Sequence, residues 1–223
     1  MDYTPAPHVL DHLKQVRLVA VVGPTAAGKN TVIEAAMARD PQIRLLRNNT
    51  SRERRPGESD REYRFLTREA MEARMAKGEY VLVAPSIFGD YYATAPEDYS
   101  PNGVMALPIL AVAVQAYRAL PFKSFQTIYI MPPDYATWRE RIRAHNFTPA
   151  ALQSRLAEAE SSLAFVREDE TVRIIINETI EQAADDFIAL VGGSKLSTRL
   201  QADQSRGRNI AADLLQQLQA DKR

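Results

Sequence analysis

Arg17-Leu-Val-Ala-Val-Val22, followed directly by Gly23-Pro-Thr-Ala-Ala-Gly28-Lys29-Asn30-Thr31, decides how this chain of 223 residues is read. The first six residues are an apolar run of the length and branching that a fully buried strand takes. The spacing G-x-x-x-x-G-K comes next, with a helix-compatible stretch from Thr31 to Ala38 behind it. Strand, glycine loop and helix in that order predict a cradle for phosphate. Glycines let the backbone curl so that its N–H groups face inward, and the dipole of the following helix adds positive field. The predicted cradle comprises Gly23, Pro24, Thr25, Ala26, Ala27, Gly28, Lys29, Asn30 and Thr31, with Lys29 reaching the outer phosphates. The plainer alternative is a glycine turn that merely links strand to helix; spacing and context both favour the cradle. Asn30 stands where a Ser or Thr hydroxyl usually ligates Mg²⁺. An amide oxygen is also a hard ligand, so Asn30 is the candidate metal ligand. Thr31 does not substitute for it, because one helical step turns it about 100° away.

Outward from this unit, strands alternate with helices. Tyr63–Leu66, Tyr80–Ala84, Tyr91–Thr94, Gln126–Met131 and Val172–Ile176 read as strands, and Val104–Val114 as a buried strand leading into a helix. Thr67 caps a helix that Gly78 ends, and helical patterns run over Tyr135–Ala144, Pro149–Phe165 and Ile180–Leu190. The stretch from Arg44 to Thr67 is basic and turn-rich. The expected fold is α/β, a three-layer arrangement with a mostly parallel central sheet. Residues 1–16 read as a polar lead-in and 17–193 as the folded body. The tail over 194–223 spaces Leu196, Leu200, Ile210, Leu214, Leu215 and Leu218 either for a helix docked on the body or a partner, or for a frayed end.

Composition narrows the function. Lys and Arg number 28 against 28 Asp and Glu, so the chain has no net charge and no global attraction to nucleic acid or a membrane surface. Cysteine is absent, which excludes disulfides and thiol nucleophiles, and three histidines (His8, His12, His145) are too few for a His-rich metal cage. The longest apolar run contains Pro108 and is too short to span a bilayer. No basic start followed by an apolar stretch opens the sequence. A cytoplasmic protein is expected, monomeric or homodimeric, with neither nucleic acid nor membrane as partner.

A second informative stretch is Asn48-Asn-Thr-Ser-Arg52-Glu-Arg54-Arg55-Pro56-Gly57-Glu58, followed closely by Tyr63. Several guanidinium groups on a turn make a fork-shaped site for a phosphate dianion, and a tyrosine hydroxyl adds a neutral donor. Taken alone, the run also reads as a solvated basic loop. In the order P-loop, T-S-R-x-x-R-P-G-E, Tyr, G-E-Y, G-D-Y-Y-A-T and a later arginine cluster, the chain resembles the guanylate kinase family from about Arg17 to Val191.

That resemblance implies a P-loop kinase with a small acceptor-binding lobe over about 44–100 and a helical lid over about 138–155. ATP would be the phosphoryl donor with Mg²⁺, and the acceptor a nucleoside monophosphate of purine nucleotide metabolism, GMP or dGMP. Arg52 and Arg55 would hold the acceptor phosphate with Tyr63 and Tyr92. Thr94 would lie beside the base, Asn48 would be a further acceptor-binding residue where the family commonly has a Ser, and Asn177 would lie near the donor adenine. Lys29, Arg139, Arg141 and Arg155 would stabilise the migrating charge. The tyrosines also read as amphipathic strand residues, and Arg139, Arg141 and Arg143 as an exposed helix face.

Two departures bear on chemistry. Where the family reads guanine with a glutamate, this chain has Leu82, which cannot accept the N1–H and N2–H₂ donors. Where the family has an acidic segment, Ala106-Leu-Pro-Ile-Leu-Ala-Val-Ala113 carries no carboxylate. Alternatives with another acceptor or none are a ribose 1,5-bisphosphate phosphokinase and a non-catalytic module that binds phosphorylated ligands.

Overall fold

The computed structural model describes residues 3–54, 60, 63–85 and 89–221. Among them, a five-stranded sheet has the order β2 (Ile43–Leu45), β7 (Val104–Pro108), β1 (Arg17–Val22), β8 (Ser124–Met131), β9 (Arg173–Ile176). It is mostly parallel: Ile43 faces Val104 across β2 and β7, and Ile130 faces Ile175 across β8 and β9. Parallel strands lie between layers and need apolar residues on both faces. Leu18 to Val22, Ile128 to Met131 and Ile174 to Ile176 are accordingly all buried. A second sheet has the order β4 (Tyr63–Phe65), β3 (Asn48–Thr50), β6 (Tyr91–Thr94), β5 (Leu82–Pro85).

Contacts divide the chain into two compact units. The first comprises Met1–Leu18, Gln42–Leu107 and Gln115–Phe125. It contains the four-stranded sheet, α1 (Pro7–Leu13), α3 (Arg68–Ala76) and most of α4 (Val114–Arg118). Thr67 caps α3 by accepting from the Ala70 N–H, and Gly78 closes it with φ of 68°. Met71, Tyr80, Tyr91, Ala93 and Ala95 form the core of this lobe, with Tyr3, Leu66, Met75 and Val83 packed against it. The polar N-terminal stretch is more than a lead-in in packing terms, since α1 buries Val9 and Leu13 and the Tyr3 hydroxyl donates to the Tyr80 carbonyl at 2.6 Å.

The basic, turn-rich stretch holds two strands that its composition hides. β2 and β3 are three residues each, and Asn48-Asn-Thr has low intrinsic strand preference. β3 forms because it is central: Asn49 pairs with Arg64 on one side and Ala93 on the other. The strand expected at Tyr80–Ala84 begins two residues later, with Tyr80 and Val81 buried ahead of it.

The second unit comprises Val19–Pro41, Pro108–Val114 and Gln126–Arg223. It holds α2 (Lys29–Arg39), α5 (Tyr135–Ala144), α6 (Pro149–Glu168), α7 (Ile180–Val191) and α8 (Thr198–Ala220). Asp134, Thr148, Thr179 and Ser197 cap α5 to α8, each accepting from a backbone N–H three residues on. The C-terminal tail is a docked helix: α8 packs on α6, β9 and α5, with Leu200, Leu214 and Leu218 buried.

α8 also covers the edge strand β9. The Gln204 amide accepts from the Ile174 N–H at 2.9 Å and donates to the Ile174 carbonyl at 3.0 Å, as a neighbouring strand would. Gly207 permits this approach, since a Cβ there would lie 2.5 Å from Ile174 Cγ2. Leu214→Ala is expected to cost about 2–5 kcal/mol of stability through the cavity it leaves, read as a lowered urea midpoint. No helix among the described residues is long and apolar enough to cross a membrane.

Candidate active site

The loop after β1 is shaped by close backbone approach. Gly23 has φ of 151°, and a Cβ on it would stand 2.4 Å from the Ile130 carbonyl oxygen. Gly28 has φ of 91°, and a Cβ there would meet the Asn177 amide nitrogen at 2.5 Å. Both glycines are therefore steric requirements of the loop. Ala26 sits between them at φ of 58°, a left-handed conformation that costs an alanine about 1 kcal/mol.

Side chains hold four carbonyls of this loop. Lys29 Nζ donates to Gly23 at 2.6 Å and to Pro24 at 3.0 Å. Trp138 Nε1 on α5 donates to Thr25 at 2.8 Å, and Asn177 Nδ2, just after β9, donates to Ala27 at 2.8 Å. The Asn177 carbonyl accepts from Arg141 at 3.0 Å. Asn177 Oδ1 and one Arg141 guanidinium nitrogen are buried with no hydrogen-bond partner among the described residues. Buried polar atoms left so are costly.

Withdrawal from water lowers the Lys29 ammonium from the ordinary 10.5 to about 8, with nearby Glu158 pulling it up and Arg155 pushing it down. Arg155 lies on α6 one turn before Glu158 and bonds to it at 3.3 Å. Arg139 goes elsewhere: it lies 3.7 Å from Asp221 at the end of α8 and over the Tyr135 ring. Positions 139 and 141 are two apart, so they leave α5 in different directions. Of the four arginine and lysine residues read as charge stabilisers, the fold gathers Lys29 and Arg155, with Arg141 at Asn177, and turns Arg139 toward α8.

In the other unit, Arg52 is nearly buried and is the hub. Its Nε donates to the Tyr92 hydroxyl at 3.1 Å, another nitrogen donates to the Glu53 carbonyl at 2.9 Å, and its guanidinium lies 4.9 Å from the Tyr63 ring centroid. Tyr63 and Tyr92 meet edge-on at 6.2 Å. Asn48 stands opposite Tyr63 in the ladder. Arg52, Tyr63 and Tyr92 are thus one cluster, built by β4, β6 and the chain just after β3. Arg55 lies outside the described residues.

Thr94 is fully buried. Its hydroxyl accepts from Tyr99 at 2.9 Å and pairs with Tyr117 at 3.2 Å. Burial pushes the Tyr117 phenol up to about 12 and raises Tyr99 well above its ordinary value, so both stay neutral. Leu82 faces Thr94 across β5 and β6.

A sequence model described as guanylate kinase matches residues 15–191. The chain belongs to the guanylate kinase family. It is 34% identical over 188 residues to the guanylate kinase of Symbiobacterium thermophilum, covering 81% of this chain and 87% of that one. It is 31% identical to the guanylate kinase of Thiobacillus denitrificans, over 87% of this chain and 92% of the relative. Among solved structures, guanylate kinase from Anaplasma phagocytophilum shares the fold with a TM-score of 0.56 at 21% identity, over 86% of this chain and 95% of that one.

As a guanylate kinase family member, this chain has two features that the sequence reading passed over. In the sequence Trp138 is legible only as the residue that opens the arginine-rich segment over 138–143 within a helix. Its signal is that it is the single tryptophan, and a buried indole N–H needs an acceptor. Glu158 was readable from its spacing of three from Arg155 on one helix, which sets the two side chains on one face. The family match ends before α8, so Asp221, which contacts Arg139, falls outside the region the family model covers.

Proposed function

We propose that this chain transfers the γ-phosphoryl group of ATP to GMP, with dGMP as an equivalent acceptor. An oxygen of the acceptor phosphate forms the new bond to the γ-phosphorus, and the bond from that phosphorus to the bridging oxygen of ADP breaks. The attacking oxygen is already anionic, so no strong general base is required. What the protein supplies is position and positive charge. The observation that carries the reading is Lys29 at the end of a loop whose carbonyls are held by side chains, beside Asn177 and Arg141 with unpartnered buried atoms.

On this reading Gly23 to Thr31 receive the ATP phosphates and Asn177 the adenine side, while Arg141 and Arg155 add charge. The lid is the end of α5, the turn through Asn146 at φ of 47°, and the start of α6. Arg139 joins the phosphates only after leaving Asp221. Arg52, Tyr63 and Tyr92 hold the acceptor phosphate, together with Arg55. Leu82 cannot accept the guanine donors and Thr94 is engaged by two tyrosines, so on this reading Asn48 or an acid such as Asp90 receives them. No cluster of three carboxylate or histidine ligands occurs among the described residues. That donor set fits Mg²⁺ held mainly by ATP oxygens and water, with the Asn30 amide oxygen as the protein ligand. Bound there, the ion would neutralise charge on the phosphates. On this reading the protein acts in the cytoplasm, where ATP and GMP are both present.

The test is ADP release from ATP–Mg²⁺ with GMP, dGMP, AMP, CMP, UMP and ribose 1,5-bisphosphate offered separately. Turnover with GMP and dGMP is expected. Turnover with the sugar bisphosphate alone would replace this reading.

The Lys29 ammonium gives a pH signature. Its proton leaves the folded chain at lower pH than the unfolded one, so this group adds to stability as pH rises from about 8 toward 10.5. For phosphate binding the sign is opposite, because the charged form is the one that binds. The kcat/KM for ATP should therefore fall as pH rises through about 8, measured in a single-ionic-strength buffer series.

A further inference from the structure

The loop between β1 and α2 is held in a conformation that one of its own residues disfavours, and α5 supplies the contact that opposes its relaxation. Ala26 has φ of 58°. A half-turn of the Thr25–Ala26 peptide would return that residue to negative φ, where an L-amino acid is relaxed. The Thr25 carbonyl belongs to this same peptide and accepts from Trp138 Nε1 at 2.8 Å. Trp138 is fully buried, so water does not compete for its indole N–H. In a trans peptide the carbonyl and the next N–H point in opposite directions, so fixing one fixes the other.

We propose that Trp138 is a positioning residue for the phosphate-binding loop. Its indole N–H locks the Thr25–Ala26 peptide so that the Ala26 N–H stays turned to the phosphate side against that residue's own backbone preference. The inference rests on the reading of Gly23 to Lys29 as a phosphate cradle. The Ala27–Gly28 peptide, two along, provides a contrast. Asn177 holds the Ala27 carbonyl in the same way, but the residue that follows is Gly28 at φ of 91°, which needs no restraint. The demand for an outside lock is therefore specific to position 26.

The experiment is a double-mutant cycle on the full chain: wild type, Trp138→Phe, Ala26→Gly and both together, with ADP affinity measured by calorimetry and thermal midpoints beside it. Trp138→Phe is expected to weaken ADP about tenfold when residue 26 is alanine. When residue 26 is glycine the same change should alter affinity by no more than about twofold, because the loop no longer pulls toward negative φ. KM for ATP should rise while KM for GMP holds. A purely structural tryptophan would lower the thermal midpoint equally in both backgrounds and show no coupling to position 26. Equal losses in both backgrounds, or none in either, would overturn the proposal.

Because the chain has one tryptophan, replacing it biosynthetically with 3-benzothienylalanine removes the N–H alone and keeps the ring shape. That variant is the one to read if Trp138→Phe does not fold, and full ADP affinity in it overturns the proposal equally. Failure of the wild type itself to bind ADP would instead remove the phosphate-cradle reading.

Discussion

Lys29→Ala should abolish phosphoryl transfer, with kcat down by about a thousandfold or more, while the fold persists. The ammonium spans the loop, bonding the Gly23 and Pro24 carbonyls, and it is the one side-chain cation that the loop itself contributes. Removing it takes one donor from the carbonyls of the buried Gly23 and Pro24, at a cost of about 1–3 kcal/mol. α2 stays anchored through Val32, Ile33 and Ala36, all fully buried. Relief of desolvation works in the same direction, since the native chain no longer confines a charge whose pKa it lowers. ADP release with GMP as acceptor measures the loss, and circular dichroism with a thermal scan measures the fold. Normal turnover in this variant would sink the assignment of Gly23 to Thr31 as the phosphate site.

Arg52→Ala should raise KM for GMP about a hundredfold and leave KM for ATP within about twofold. Arg52 presents a planar fork, and its Nε is already oriented by the Tyr92 hydroxyl. Arg52→Lys keeps the charge and loses the fork, so it should recover less than about a tenth of the lost affinity. The guanidinium also lies over the Tyr63 and Phe65 rings, at 4.9 and 5.4 Å from their centroids. Truncation therefore removes about 1–2 kcal/mol of stability as well, so kinetics belong well below the variant's thermal midpoint. An unchanged KM for GMP would take Arg52 out of the acceptor site.

The two variants test residues of different legibility. Lys29 could be found by spacing alone, because a glycine loop between an apolar strand and a helix acts through its own backbone. Arg52 needed the order of several motifs, because an arginine run looks alike whether solvated or assembled. The strands around it were partly hidden. β3 is Asn-Asn-Thr, and it is a strand because β4 and β6 flank it. Thr94 matched a family position, yet the fold seals it between Tyr99 and Tyr117, which come from outside its strand. The tail's leucine spacing allowed a helix on the body, on a partner, or no stable helix. Gln204 pairing with Ile174 and Gly207 lying against it settle where the helix goes.

By itself the sequence determined the α/β alternation, the glycine loop between strand and helix and the order of the motifs, because apolar runs, helix caps and glycine spacing act through neighbours along the chain. The tertiary structure alone decided which cations gather at the loop, with Arg141 turned to Asn177 and Arg139 to Asp221. It alone also showed that a tryptophan 113 positions away holds the Thr25 carbonyl. The physical reason is that a hydrogen bond to one carbonyl depends on where a distant helix is packed, and no local pattern carries that position.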